Sequence, residues 1–506
     1  MQSDQFDMLS SPRAVALGAG LCFLLYYVLW AIYVLYFHPL ARYPGPKSWL
    51  FSRVAYSRGL RQGTLIHKLR QLHDTYGPVV RYGVNELSYT DARAWKDVYG
   101  FHGGPDKNFD RDPRFYQPAP NGIPSILSAR NEHHASIRRL LAPAFSDTAL
   151  KQQESIVRGY VDLLMRKLLK RANGPPVNIG NYFQFTTFDI AGDLMYGESF
   201  GCLEREEYHT WLKVMTAFFK RLMIGASLVS LVPAIRPLLP YIIPKRVQEQ
   251  TRQRFAFTVE KVGQRLAMGE STNRADFMTY MVRTHSKSGF AMARGELDAT
   301  FDVLVSAGAE TTATALTGTV QYLLRNPAKL HRLQDEIRSR FASPEEITVA
   351  SVTNLLYLTA VLNEGMRLCP PAPSMRPRVV PRGGALVCGK WLPEGISVGI
   401  PPWSTFRSAE NFAQPDDFIP ERWLRPEEGG LEMKPHDASA FLPFSYGPRD
   451  CLGRSLGWAE MRLILTMVIW HFDLENRSVE NTWENQKVFV MWDMVPMMVA
   501  LRPVKR

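Results

Sequence analysis

Phe444-Ser-Tyr-Gly447-Pro-Arg449-Asp-Cys451-Leu-Gly453 stands near the C-terminal end of the chain. Its cysteine lies between a glycine-hinged turn and a helical pattern running from Leu452 to about Trp470. Two glycines and a proline let the backbone fold tightly around it. An arginine sits two residues before it. That arrangement presents a thiolate with backbone N–H groups around the sulfur, which suits an iron ligand better than a disulfide partner. The competing reading is a structural cysteine buried at a helix start, and the rest of the chain decides between them.

The chain has 506 residues, 46% hydrophobic and 21% charged. That is ordinary globular composition, with ample length to bury a core and enclose a cofactor. Cys22, Cys202, Cys369, Cys388 and Cys451 are few, odd in number and far apart. They exclude a disulfide framework or a structural zinc site and fit a reducing compartment. The formal net charge is +12. With no nucleic-acid motif, and no basic block interleaved with aromatics, this balance points to an anionic membrane face and an acidic protein partner.

From Ala14 to Phe37 the chain carries no charge. At ~1.5 Å per residue this run crosses a ~30 Å hydrocarbon core. It is too long for the apolar stretch of a cleaved signal, and no small-residue cleavage site follows. Residues 1–13 hold Asp4, Asp7 and Arg13, whereas His38 to Arg70 holds only basic residues. The positive-inside rule then predicts a luminal 1–13, a span over 14–37 and a cytoplasmic remainder. His38-Pro39 and Tyr43-Pro44-Gly45-Pro46 cannot continue a helix and predict a semi-rigid hinge over 38–50.

Helical patterns dominate the rest, with short strand signals near 78–92 and 378–400. Residues 101–127, rich in Gly, Pro, Asp and Asn, read as a long functional loop. His134 to Arg139 opens a helix ending near Pro143. Residues 222–244 are apolar but broken by prolines, which leaves two readings: a loop dipping into a membrane surface, or a buried helix-loop-helix. Glu296 to Arg325 predicts one helix of roughly 30 residues, ~45 Å long, stopped by Asn326-Pro327. Another follows over about 351–368.

Within the long pattern stands Ala307-Gly308-Ala309-Glu310-Thr311-Thr312. Small residues leave space beside the helix. An acid followed by a hydroxyl at that gap is equipment for delivering protons to something bound there. Glu364 and Arg367 lie at i and i+3 on one face, which alone reads as a surface ion pair.

Together these motifs resemble the cytochrome P-450 superfamily. Phe444 to Gly453 fits its haem-thiolate signature F-x-x-G-x-R-x-C-x-G. Residues 307–312 fit its oxygen-activation motif, and Glu364-x-x-Arg367 with Pro420-Glu421-Arg422-Trp423 fits its E-x-x-R and P-E-R-W segments. They stand in the family's order across essentially the whole chain. The resemblance implies a mainly α fold with small β-sheets (α+β), a single haem domain over 51–506 behind the transmembrane helix. It implies haem b with Cys451 as axial thiolate and Phe444 packed beside it. Arg449, Arg378 and Arg138 are implied as propionate partners, and so is His134, although tryptophan is usual there. Thr311 is implied to hold dioxygen and its water chain, Glu310 to relay protons from solvent, and Glu364, Arg367 and Arg422 to lock the core behind the haem.

The activity implied is that of a monooxygenase. One atom of O2 enters an apolar substrate; the other leaves as water. Electrons are implied to come from a separate NADPH-cytochrome P-450 reductase, with cytochrome b5 as a second donor, docking near Arg449, Arg454 and Arg462. Walls for a hydrophobic substrate fall at 101–127, 222–244, Val303 to Ala307, Pro373 to Met375 and Asp493 to Met498. The style is similar to fungal secondary-metabolism members of the endoplasmic reticulum membrane. Two other readings stay open: a haem-thiolate isomerase or dehydratase that needs no O2, and a non-catalytic haem-binding membrane protein.

Overall fold

The computed structural model describes residues 12–269, 274–281, 292–478 and 483–505. Most of the expected luminal segment 1–13 lies outside them. Helix α1, Pro12–Ile32, passes into a π-helical turn over Tyr33–Phe37 and stops at His38, one residue before Pro39. From Val15 to Leu29 its side chains are exposed, Trp30 and Ala31 are half-buried, and Val34 in the turn that follows is fully buried. Helix α2 spans Val54–Gln62. Strands β1 (Val79–Gly83) and β2 (Glu86–Tyr89) pair antiparallel. Two-residue β3, Asp110–Arg111, is the one strand in the long 101–127 loop.

Helix α3 is Asn131–Leu141, with Glu132 in its first turn and Arg138 and Arg139 in its last, the charge order its dipole favours. Next come α4 (Ile179–Tyr196), α5 (Thr210–Leu231) and α6 (Lys245–Ala267). Helix α7 runs from Arg294 to Arg325. Glu296 caps its start by accepting the Ala293 N–H at 3.0 Å, and the following Pro327 ends it. Buried on most sides, α7 is the central beam, packed above all on α4 and also on α8, Leu356–Leu368.

The expected helix over 351–368 is two pieces, Val349–Val352 and α8. The reason is Glu336, whose carboxylate accepts the N–H groups of Tyr357 and Leu358, both at 2.8 Å, and so fixes a new helix start. Strands β4 (Arg378–Val379) and β5 (Ser397–Gly399) complete a sheet in the order β1-β2-β5-β4-β3, parallel only between β2 and β5. Helix α9, Arg454–His471, follows the cysteine loop and sinks into the core from Ala459 onward.

Two described stretches are long and apolar enough to cross a membrane: Val15–Phe37 and Thr210–Leu231. The second corrects the expectation for 222–244. Its first ten residues end a continuous helix that begins upstream, because the prolines start only at Pro233. Nor is the segment a buried helix-loop-helix. Ile224, Leu228, Leu231, Val232, Leu238 and Tyr241 are exposed, Tyr241 by 87%. One face of α5 packs on α2, and buried Ser57 donates to Ser227 O at 2.9 Å.

Candidate active site

The cysteine loop closes on itself, with Cys451 N–H donating to Phe444 O at 2.8 Å. Gly447 has φ +76°, and a Cβ there would lie 2.0 Å from Tyr99 O, so no other residue fits. Ser445 also takes the left-handed region, at φ 65°. The Cys451 side chain is accessible, yet burial is the strongest influence on its thiol. Its surface therefore lines an enclosed recess. Burial raises the thiol's pKa, while the Gly453 N–H, Arg376 and Arg454 pull it down. Coordination to a cation would complete the deprotonation. Phe444 lies on the α9 side, its ring 6.0 Å from that of Trp458.

Small residues open the face of α7 as expected. Ala307 is exposed in the middle of a helix otherwise exposed only at its ends, and a Cβ on Gly308 would meet nothing within 4 Å. Thr311 donates to Ala307 O at 2.7 Å, competing for a carbonyl of the helix ladder. Glu310 does not open to solvent. It is 7% exposed and enclosed against α4, where Gln184 Nε2 donates to its two oxygens at 3.1 and 3.2 Å. Burial raises its carboxyl to about 7, opposed only by that amide.

Beside the recess, arginines gather from four segments. Register places Arg111 of β3 directly opposite Arg378 of β4. Like charges so placed repel unless an anion lies between them. Arg378 Nε and Nη1, Arg111 Nε and Arg449 Nη1 are buried without a hydrogen-bond partner. Burial lowers Arg111 to about 9 and Arg449 to about 10, a measure of how poorly these charges are compensated. The remaining Arg449 donors go to Asn131 Oδ1, Asp110 Oδ1 and Ala129 O at 2.8, 3.1 and 2.7 Å. Arg138 reaches Asp450 through O and Oδ1, at 2.7 and 2.5 Å. His134 is buried within reach of Arg449, Arg111, Arg138 and Arg378, and burial with those charges keeps it neutral. Such a cluster fits a buried dicarboxylate, and with the cysteine and the open helix face it fits haem.

Glu364 and Arg367 are no surface pair. Arg367 Nε and Nη2 donate to the two Glu364 oxygens, both at 2.8 Å, and Arg422 Nε donates to Oε1 at 3.1 Å, all three side chains fully buried. Ile419 N–H and Trp423 Nε1–H, each at 2.9 Å, complete the carboxylate's shell. Arg449 departs from expectation in one respect. It is buried, so among the three expected docking arginines only Arg454 and Arg462 reach the surface.

Sequence reasoning missed Arg111, Arg376, Gln184 and Glu460. Arg111 lies in an irregular loop whose two-residue strand leaves no period to detect. Arg376 precedes Arg378 by two extended residues and acts on the Cys451 thiol. Gln184 sits in an apolar helix and reads as a tolerated polar residue. Glu460 is 4% exposed, its carboxyl raised to about 8 by burial and held by Thr312. Its place among apolar residues of the last helix was the available signal.

The 101–127 loop roofs the N-terminal part of α7, with Asn121 Nδ2 donating to Gly295 O at 2.9 Å and Ile126 N–H to Thr300 Oγ1 at 3.3 Å. The family described as Cytochrome P450 matches residues 43–498. The chain is 38% identical to cytochrome P450 monooxygenase efuB of Hormonema carpetanum, over 97% of this chain and 96% of that protein. It is 40% identical to cytochrome P450 monooxygenase aclL of Aspergillus oryzae, over 98% of this chain and the whole of that protein. It is 38% identical to averantin hydroxylase of Dothistroma septosporum, over 96% and 91%.

Proposed function

The chain belongs to the cytochrome P450 family, and on that premise we propose that it is a membrane-anchored monooxygenase with Cys451 as its haem ligand. The observations that carry this are the accessible cysteine in its tight loop, the unpartnered guanidinium nitrogens of Arg449, Arg378 and Arg111, and the open face of α7 at Ala307 and Gly308. Haem bound there supplies reductive activation of O2, inserting one oxygen atom into the substrate and releasing the other as water. Arg378, Arg449 and Arg111 hold its propionates, and Arg138 and Arg454 brace the loop through Asp450. Thr311 orients what binds beside α7, and Glu310 supplies protons. Glu364, Arg367 and Arg422 keep the wall behind the haem rigid.

The substrate is a hydrophobic small molecule, an intermediate of fungal secondary metabolism of terpenoid or polyketide type. The style of the relatives supports this, one being named for hydroxylating averantin. Residues 14–37 anchor the protein in the endoplasmic reticulum membrane, 38–50 form the hinge, and 51–506 form the catalytic domain on the cytoplasmic side. The exposed apolar end of α5 with Val232, Leu238 and Tyr241 meets the same bilayer. Electrons come from an NADPH-dependent cytochrome P450 reductase, or cytochrome b5, docking at Arg454 and Arg462.

The test is the reduced, carbon-monoxide-bound spectrum of the full chain in membranes, followed by product formation with and without NADPH and reductase. The expected result is the red-shifted Soret band of a thiolate ligand, lost in Cys451→Ala, and turnover that requires both additions. A band at the imidazole position overturns the ligand assignment; turnover without O2 and NADPH favours the isomerase reading.

A further inference from the structure

Glu310 is held by a fixed amide. Gln184 sits on α4 between Glu310 and Tyr208 and hydrogen-bonds to both. Its Oε1 accepts the Tyr208 hydroxyl. The phenol's other neighbour, Asn181 Oδ1 at 2.8 Å, already accepts from Asn178 Nδ2, also at 2.8 Å. A phenol has one proton to give. The closer of its two acceptors is the Gln184 carbonyl, and with that oxygen turned to the phenol the NH2 end of Gln184 faces Glu310. The orientation of the amide is thus set from outside the pair.

No cation faces Glu310 among the described residues. From α4 it meets Gln184, while Thr187 on the same helix is spent on Ala309 O at 2.8 Å. From the loop after α4 come Tyr208 and, behind it, the buried Cys202 thiol. On α6, Arg254 is committed to Asp302, at 2.5 and 2.8 Å, two turns earlier on α7. On α9, Glu460 faces Thr312. On α8, Arg367 is committed to Glu364 and to the Phe406 and Pro415 carbonyls. A buried carboxyl alone stays neutral, and one paired with a cation stays charged. A single neutral donor lies between these limits. It stabilises the carboxylate without locking it.

We propose that Gln184, oriented by Tyr208, is the positioning residue that keeps Glu310 able to give up and retake a proton within the closed interior. The proton leaves Glu310 for the reacting group beside Thr311, and the carboxylate left behind regains one that comes ultimately from bulk solvent. Gln184 and Tyr208 transfer no proton; they hold the charged form in place while it lasts. This rests on the reading of Glu310 as proton donor.

The experiment follows the protonated-carboxyl infrared band of Glu310 in the full-length haem protein, assigned by its loss in Glu310→Gln. Titration in the unmodified protein is expected near pH 7. Gln184→Leu raises the midpoint by at least tenfold in proton concentration, Tyr208→Phe raises it less, and Gln184→Lys lowers it. The pH dependence of product formed per NADPH consumed shifts in the same order. An unmoved midpoint in Gln184→Leu, with the haem spectrum intact, overturns the proposal. If Glu310→Gln leaves product per NADPH unchanged while the midpoints move as stated, the positioning stands and the proton-donor reading fails.

Discussion

Single side chains near Cys451 carry opposite burdens. Arg111 and Arg378 stand directly opposite one another in register, with buried nitrogens that have no hydrogen-bond partner. Removing either relieves repulsion in the absence of haem and removes a charge-assisted bond in its presence. Arg378→Gln is therefore expected to weaken haem retention by about tenfold or more, taking one such bond as roughly 1.5–3 kcal/mol. The folded protein without haem should hold or gain thermal stability. Haem transfer to an excess of apomyoglobin, beside thermal melting, checks both halves. Arg111→Gln should act alike, which would place the 101–127 loop in the haem cradle. Of these two, sequence pointed only to Arg378, which stands at the start of the strand after the proline-rich turn and matches a family position. Arg111 comes into place through chain crossing in space, which no local pattern encodes.

At the scale of elements, α9 joins two roles, ending the cysteine loop and filling the core. Its buried acid makes the second role sensitive to pH. The carboxyl of Glu460 is raised from an ordinary 4.5 to about 8. Below 4.5 both folded and unfolded chains hold its proton. Between 4.5 and 8 only the unfolded chain releases it, so stability falls across that window and levels off above it. At about 1.4 kcal/mol per tenfold change in proton concentration the loss reaches about 5 kcal/mol at most. Glu460→Gln is expected to flatten this slope, with a larger gain in melting temperature at pH 8 than at pH 5. The helical periods of α7 and α9 are plain in the sequence, and their ends fall within a few residues of expectation. The break before α8 was not legible, because it depends on Glu336, twenty residues away, capping a new helix start.

Across the whole molecule the order of motifs sufficed for the architecture, since together they span essentially the whole chain. The proposed lipid-facing surface was harder. Its two parts, α1 and the end of α5, are distant in sequence, and α5 is held by packing on α2. Composition identified both as apolar, but exposure of the second depends on which face α2 covers. Ile224→Asp with Leu228→Asp in the full chain is therefore expected to leave the carbon-monoxide spectrum unchanged. It should weaken use of membrane-dissolved substrate several-fold, seen as a raised KM with kcat retained. An equal KM for wild type and variant would remove α5 from the bilayer.

The buried turn after α1 sets an order of events in synthesis. Arg81 donates to Val34 O at 3.0 Å and to Val84 O at 3.2 and 3.0 Å, and its own backbone N–H reaches Pro44 O at 2.7 Å. Gly45 lies so close that a Cβ there would stand 2.1 Å from Arg81 O. Val34 leaves the ribosome well before the β1–β2 hairpin that clamps it. The proposed anchor is thus free to settle its tilt while the chain is still emerging, and it is bolted to the catalytic domain only afterward. The angle between the proposed anchor and the domain is then set late, by folding, rather than early, by insertion.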